Sequence, residues 1–246
     1  LSGVGVNIAL GQITNTTSSM AYSLNGTSGP WVPASNGNTT VSFNANGGFS
    51  VYVRQISLPG NIRLVRNVAL AASAPTYGVN YFNETTSTAI ASSDEYSWFS
   101  DFSTSFSGDG VSSVALSPET SVKTLYLRTA ATATALASKT QALSIKARPA
   151  SVSFSLNYVT ESTSASVPTS VEWSLASDMS GAQSGTGSPL SLQPNNTYYF
   201  RVKATSSSFS SVKTTVSVPS RPNISFNVDY INERTLQPVP TGVIYD

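Results

Sequence analysis

The sequence predicts an all-β chain of small β-sandwiches in tandem, about 74 residues per repeat, arranged end to end. Three observations predict it: residue types suited to pleated surfaces, apolar residues alternating with period two, and internal self-similarity at a fixed interval. The apolar residues are mostly Val, Leu, Ala, Phe, Tyr and Ile, set among Thr, Ser and Asn. β-Branched and aromatic side chains fit a half-buried strand, and 16 Gly with 13 Pro supply the turns between strands. At 39% hydrophobic the chain has enough apolar surface to fold, despite 45 Ser and 27 Thr.

The alternation is clearest in Val152-Ser153-Phe154-Ser155-Leu156-Asn157-Tyr158 and Ile224-Ser225-Phe226-Asn227-Val228-Asp229-Tyr230. Each reads as a strand with one buried face. Tyr199–Ala204 and Val212–Val218 give two more. Thr129–Leu136 is the one helix-like run. Its alternating Thr disfavours helix, so it is expected to be a loop or edge strand. Six to seven short strands per copy are expected.

The repeat is the main signal. Val51-Tyr52-Val53-Arg54, Leu125-Tyr126-Leu127-Arg128 and Tyr198-Tyr199-Phe200-Arg201 end in Arg at intervals of 74 and 73 residues. Tyr22-Ser23-Leu24, Tyr96-Ser97-Trp98 and Trp173-Ser174-Leu175 keep the same order, as do Tyr81-x-x-Glu84, Tyr158-x-x-Glu161 and Tyr230-x-x-Glu233. The first copy lacks the last element and has Thr14-Asn15-Thr16-Thr17 in that region. Proline marks the joints at Ala74-Pro75, Arg148-Pro149 and Arg221-Pro222, where X-Pro favours extended backbone. The expected domains are 1–75, 76–149 and 150–222. Residues 223–246 open a fourth copy, able to complete a neighbouring domain or chain by strand addition.

Tyr22-Ser23-Leu24-Asn25-Gly26 followed by Trp31, Thr197–Ala204, and terminal strands ending in Arg-Pro resemble the tandem immunoglobulin-like or fibronectin-III-like repeats of large bacterial surface proteins. The resemblance covers essentially the whole chain. It implies a stalk, adhesin or surface-filament segment, located outside the cell at its surface. It carries over no binding residues.

Composition narrows the chemistry. There is no His and no Cys, so no imidazole base, no Ser-His-Asp or Cys-His pair and no ordinary zinc site can be built. Thirteen cations against twelve acids give a net charge of +1, no grip for nucleic acid. No stretch has the length of a membrane span. The chain is expected to be non-enzymatic, with no catalytic residue and no cofactor. Asp94-Glu95 with Asp101 is the one local acid cluster. With Asp109-Gly110, it leaves calcium as the only cofactor to weigh.

The repeated acids Glu84, Glu161 and Glu233 are expected to hold structural hydrogen bonds, with Arg as the preferred cation. The repeated Arg54, Arg128 and Arg201 are the natural partners by recurrence. Trp98, beside Phe99 and Phe102, is the candidate ligand-facing aromatic. The leading function is a stalk or filament-and-layer building block whose partners are other copies of itself or other surface proteins. A carbohydrate-binding array beside a secreted enzyme, with glycans as partners, and a phage fibre segment are the alternatives.

Overall fold

The computed structural model describes residues 1–43, 48–239 and 241. Among these every regular element is a strand. By backbone contact the chain divides into two compact units: Leu1–Pro149 with Ala204–Ser210, and Ala150–Lys203 with Ser211–Asp246.

The first unit opens with seven strands: β1 (Gly5–Asn7), β2 (Gln12–Thr16), β3 (Met20–Ser23), β4 (Val32–Pro33), β5 (Gly37–Thr40), β6 (Phe49–Gln55) and β7 (Ile62–Val68). They form an antiparallel three-stranded sheet, β1-β2-β5, and a four-stranded one, β4-β3-β6-β7. Val4, Ile13, Val41, Val51 and Val53 are buried between them. The same unit continues with β8 (Val79–Asn80), β9 (Thr85–Thr86), β10 (Asp94–Ser97), β11 (Phe106–Ser107), β12 (Lys123–Thr129) and β13 (Gln141–Ile145). Here β8-β9 stands beside the four-stranded sheet β11-β10-β12-β13. The core is Ile90, Leu116, Leu125, Leu127, Ile145 and Phe209.

The second unit repeats that plan with β14 (Leu156–Asn157), β15 (Ser162–Thr163), β16 (Val171–Ser174), β17 (Gln183–Ser184), β18 (Thr197–Val202) and β19 (Thr214–Ser217). Its sheets are β14-β15 and β17-β16-β18-β19, around Val167, Val171, Leu192, Tyr198, Phe200, Val216 and Val218. A last hairpin, β20 (Val228–Asp229) with β21 (Arg234–Thr235), lies in the expected opening of a fourth copy. Residues 240 and 242–246 of that segment are outside the described residues. The chain is thus all-β, with small antiparallel sheet pairs repeated along it.

Pairing registers fix which residues correspond. Ser23, Ser97 and Ser174 face Tyr52, Tyr126 and Tyr199 across the strands. Each of those serines is buried, and its hydroxyl accepts the N–H two residues on, of Asn25, Phe99 and Ala176. The aromatic-Ser-apolar signature is therefore a strand end closed by a local side-chain hydrogen bond.

Two expectations of regular structure change. The strands expected over Val152–Tyr158 and Ile224–Tyr230 shorten to two residues each, because β15 and β21 offer only two partners. The alternation still decides burial: Val152, Phe154 and Leu156 all pack on the core. After Thr129 the Thr/Ala run is a loop, as its β-branched residues predict.

Candidate functional site

The repeated feature with side-chain chemistry is the hairpin turn joining the first two strands of each copy. It comprises Ile8-Ala9-Leu10-Gly11, Tyr81-Phe82-Asn83-Glu84, Tyr158-Val159-Thr160-Glu161 and Tyr230-Ile231-Asn232-Glu233. An Asx residue precedes each turn, and its side-chain oxygen accepts the turn's N–H groups. Asn7 takes Leu10, Asn80 takes Phe82 and Asn83, Asn157 takes Val159 and Thr160, and Asp229 takes Ile231 and Asn232. The fourth turn residue has positive φ every time: Gly11 61°, Glu84 56°, Glu161 46° and Glu233 51°. In the first three copies its carbonyl accepts the N–H of Val41, Leu116 or Leu192.

The first copy's counterpart of the repeated acid is therefore Gly11. The segment Thr14–Thr17, assigned to it from sequence, lies in β2 and its exit instead. What the fold requires is a residue that tolerates the left-handed region, which glycine does without strain. Glutamate there is strained, and something must hold it.

In the second and third copies an arginine holds it, and not one of those expected. Arg148 Nη1 and Nη2 donate to Glu84 Oε1 and Oε2, both at 2.6 Å. Arg221 Nε and Nη2 donate to Glu161 at 3.0 and 2.6 Å. Such forked pairs are the strong form of ionic hydrogen bond. Both arginines come from the Arg-Pro joints. The second and third copies, with Glu84 and Glu161, have Arg-Pro joints, whereas the copy with Gly11 has Ala74-Pro75. That co-occurrence was readable in the sequence. Glu233 has no ion pair among the described residues; in its hairpin Arg234 lies 3.7 Å from Asp229 instead.

The recurrent arginines at the strand ends do other work. Arg128 and Arg201 each pair across strands with an acid, Glu95 at 2.7 Å and Glu172 at 2.6 Å. Arg54 faces Ala21 at that register position. Its guanidinium lies 4.4 Å from the centre of the Trp31 ring, and its Nε is buried without a partner.

The turn of the second copy is also a seat. Phe209 is fully buried against it, 4.8 Å from the Tyr81 ring centre. Arg148, besides gripping Glu84, donates to the carbonyls of Ser210 at 2.9 Å and Pro118 at 3.0 Å. Lys146 Nζ donates to the carbonyl of Ser207 at 2.9 Å. The first copy's turn is covered similarly. The N–H groups of Ile8 and Ala9 donate to the carbonyls of Ala133 and Thr132, in the loop after β12. The third copy's turn is open: Tyr158 is 73% exposed and Val159 94%. Beside it lies a groove lined by Leu156, Glu161, Pro194, Val218 and Arg221 among others, about 280 Å³ in volume. The Glu161 carboxyl sits below its usual range because Arg221 donates hydrogen bonds to it and, more weakly, attracts it by charge.

The acid cluster weighed for calcium separates. Asp94 is buried and accepts hydrogen bonds from the Tyr77 and Thr129 hydroxyls at 2.7 and 2.8 Å. Burial, with Asp94 as a further cause, raises the Tyr77 phenol. Glu95 is committed to Arg128, and Asp101 caps its own turn through the Ser103 N–H. Asp109 caps another turn by accepting the Val111 and Ser112 N–H groups. Ser112 does most to hold its carboxyl down at about 2. Among the described residues no group of three or more acids could hold a metal ion. Trp98 is half-buried against the second core, and Lys123 Nζ lies 4.8 Å from its ring centre. They border a shallow depression with Thr124.

Sequence reasoning missed Arg148, Arg221, Phe209 and a pair of glycines. A Cβ on Gly108 would meet the Ala91 carbonyl oxygen at 2.2 Å, and one on Gly185 would meet that of Pro168 at 2.3 Å. Ser107-Gly108-Asp109-Gly110 and Ser184-Gly185-Thr186-Gly187 recur at 77 residues, the interval between Glu84 and Glu161, and could have revealed them.

No helix among the described residues is long and apolar enough to cross a membrane. No family model matches the chain, and no curated protein matches it. Among solved structures it is similar to the FN1-FN3 domains of chicken CNTN1. The identity is 12%, over 90% of this chain and 97% of that one, with a TM-score of 0.24, and the likeness assigns nothing to this chain.

Proposed function

We propose that the chain is a non-enzymatic segment of a repetitive bacterial surface protein, outside the cell, serving as a stalk or as the building block of a filament or layer. In this reading residues 1–75, 76–149 and 150–222 are three sandwich repeats, and 223–246 begin a fourth. Glu84, Glu161, Arg54, Arg128 and Arg201 are structural. One observation carries the reading: the polar chemistry that recurs is spent on joints and turns. The Glu84–Arg148 pair ties the turn of a copy to its Arg-Pro joint and to the loop at 210, which is where a stalk under load needs stiffness. A chain without His or Cys, with 72 Ser and Thr in 246 residues, also suits a surface more than an active site.

Pulling the full chain in a force experiment tests it. Separate unfolding events are expected, each releasing about 20–25 nm for a repeat of roughly 74 residues. One single event, or extension without resistance, would sink the stalk reading. Protease shaving of intact source cells should release fragments of the chain, and a wholly protected protein would refute the surface location.

The carbohydrate-binding alternative would act at Trp98. The Lys123 ammonium near that ring competes with a stacked sugar, so glycan binding is not the favoured reading.

A further inference from the structure

We infer that Arg54 and Trp31 of the first copy form a binding site for a carboxylate-bearing sugar, a uronic acid unit of an acidic polysaccharide. This goes beyond the stalk reading and gives one copy a ligand of its own. The second copy shows the complete arrangement. Arg128 lies against the Phe102 ring, its Cζ 3.9 Å from the ring centre, and its Nε donates to Glu95 Oε1 at 2.7 Å. Stacking uses the face of a guanidinium and a carboxylate uses its edge, so one arginine takes both. In the third copy Arg201 Nε donates to Glu172 Oε1 at 2.6 Å.

The first copy keeps the arginine and the aromatic and lacks the acid. Arg54 Cζ lies 4.4 Å from the Trp31 ring centre, and Ala21 holds the register position of Glu95 and Glu172. The atom left without an acceptor is the same one, Nε, and it is buried. A buried donor with no acceptor is costly, and a carboxylate is what the equivalent donors hold. The copy has none to give: residues 1–83 contain three arginines and no acid. Arg128 and Arg201 find their acids inside their own copies, so the vacancy follows from Ala21 and not from a missing neighbour. Arg54 and Trp31 are each half-buried, within reach of a ligand.

Two features choose a sugar over an acidic peptide. The strand beside the site, β4, is a sheet edge, but its Pro33, opposite Ala21, has no N–H, so strand addition finds little to bond. The loop that carries Trp31 presents Asn25, Thr27 and Ser28 to solvent, amide and hydroxyl groups of the kind that sugar hydroxyls bond. Trp98 is not a second such site, because its cation, Lys123, is already paired with Glu119 at 2.9 Å.

Titration of the full chain with tetragalacturonate, followed by NMR at the Arg54 Nε–H and the Trp31 indole, is the experiment. Both signals should shift and saturate with a dissociation constant of about 1 mM or tighter. Added salt should weaken the binding. The same tetrasaccharide with its carboxyls reduced to alcohols should bind about tenfold more weakly or worse, and so should tetragalacturonate to the Arg54→Met chain. That chain should keep its fold, because little beyond the ring contact is lost. Arg63→Met makes the same change of net charge outside the site and should bind as the wild type does. Ala21→Glu supplies the acid from within and should abolish binding; if it disturbs the strand, Arg54→Met decides alone. An absence of saturation up to about 10 mM would overturn the proposal. So would equal binding of the reduced sugar, or equal losses in Arg63→Met and Arg54→Met, which would make the attraction diffuse charge. Tetraglutamate bound as tightly as tetragalacturonate would refute the sugar and give the site to an acidic protein partner. Each outcome leaves the force and shaving experiments untouched, so this site can fail while the surface reading stands.

Discussion

The first copy and the two that follow share a register but differ in charge. Where the second and third have Glu84 and Glu161 in the turn, the first has Gly11. Where they have Glu95 and Glu172 opposite a strand-end arginine, the first has Ala21. Where they have Arg148 and Arg221 at the joint, it has Ala74. The differences go in sets, and the first copy carries no acid. The backbone demand is constant and the side-chain answer varies. A left-handed turn residue is met by glycine, which needs no support, or by glutamate, which an arginine holds in place.

The largest expected effect breaks the comparison at the second strand exit. Ala34, Gly108 and Gly185 share one register position, each donating its N–H to the carbonyl of Met20, Asp94 or Val171. Alanine fits in the first copy, yet Gly108→Ala would drive a Cβ to 2.2 Å from a carbonyl oxygen. A loss on the order of 3 kcal/mol is expected by denaturant melting. A loss under about 0.5 kcal/mol would mean that the strand exits are not equivalent.

Next comes the clamp. Glu84→Gln keeps the shape and removes the charge, leaving Arg148 half-buried with carbonyl partners alone. A destabilisation of about 1.5–3 kcal/mol is expected, seen as a lowered melting midpoint. Glu84→Gly should recover part of that loss, because it removes the left-handed strain as Gly11 does. If glycine proves worse than glutamine, strain is not what the clamp opposes.

How far the sequence revealed this differs by level. The period near 74, the alternation and the recurrent aromatic-Ser-apolar signature were all legible, because each is a local pattern repeated in register; the burial of the serine was not. The acid was legible as a recurrence, but its partner was not. Recurrence pointed to Arg128 and Arg201, which answer Glu95 and Glu172 across a strand pair. The true partners lie 64 and 60 residues from the acids and are brought near only by folding. Phe209 was hidden because a Ser-rich loop gives no periodic signal, and its burial comes from residues far away in the chain, Tyr81 among them.

Strand-end arginines give a smaller contrast. Arg201→Met leaves the Glu172 carboxylate, only 17% exposed, without its cation, and about 1.5–3 kcal/mol should be lost. Arg54→Met removes a guanidinium whose Nε is already orphaned, forfeiting chiefly its contact with Trp31. A cost below about 1 kcal/mol is expected. Equal costs at the two positions would show that Trp31 replaces an acid fully.

The smallest effect is a titration. Hydrogen bonds from Arg221, and then its charge, hold Glu161 below its ordinary value of 4.5. The folded form therefore binds a proton less readily than the unfolded one. The stabilisation is whole above the unfolded value and fades as pH falls through the lowered folded value. The pair is exposed, so salt should screen it, and melting midpoints should scarcely register the change. The carboxyl resonance of Glu161, followed by NMR, registers it directly. Its midpoint should lie below 4.5 in the native chain and rise in Arg221→Met, and added salt should narrow the gap. A midpoint unmoved by Arg221→Met would mean that Glu161 and its arginine are apart in solution. The third turn would then lack the clamp that distinguishes it from the first.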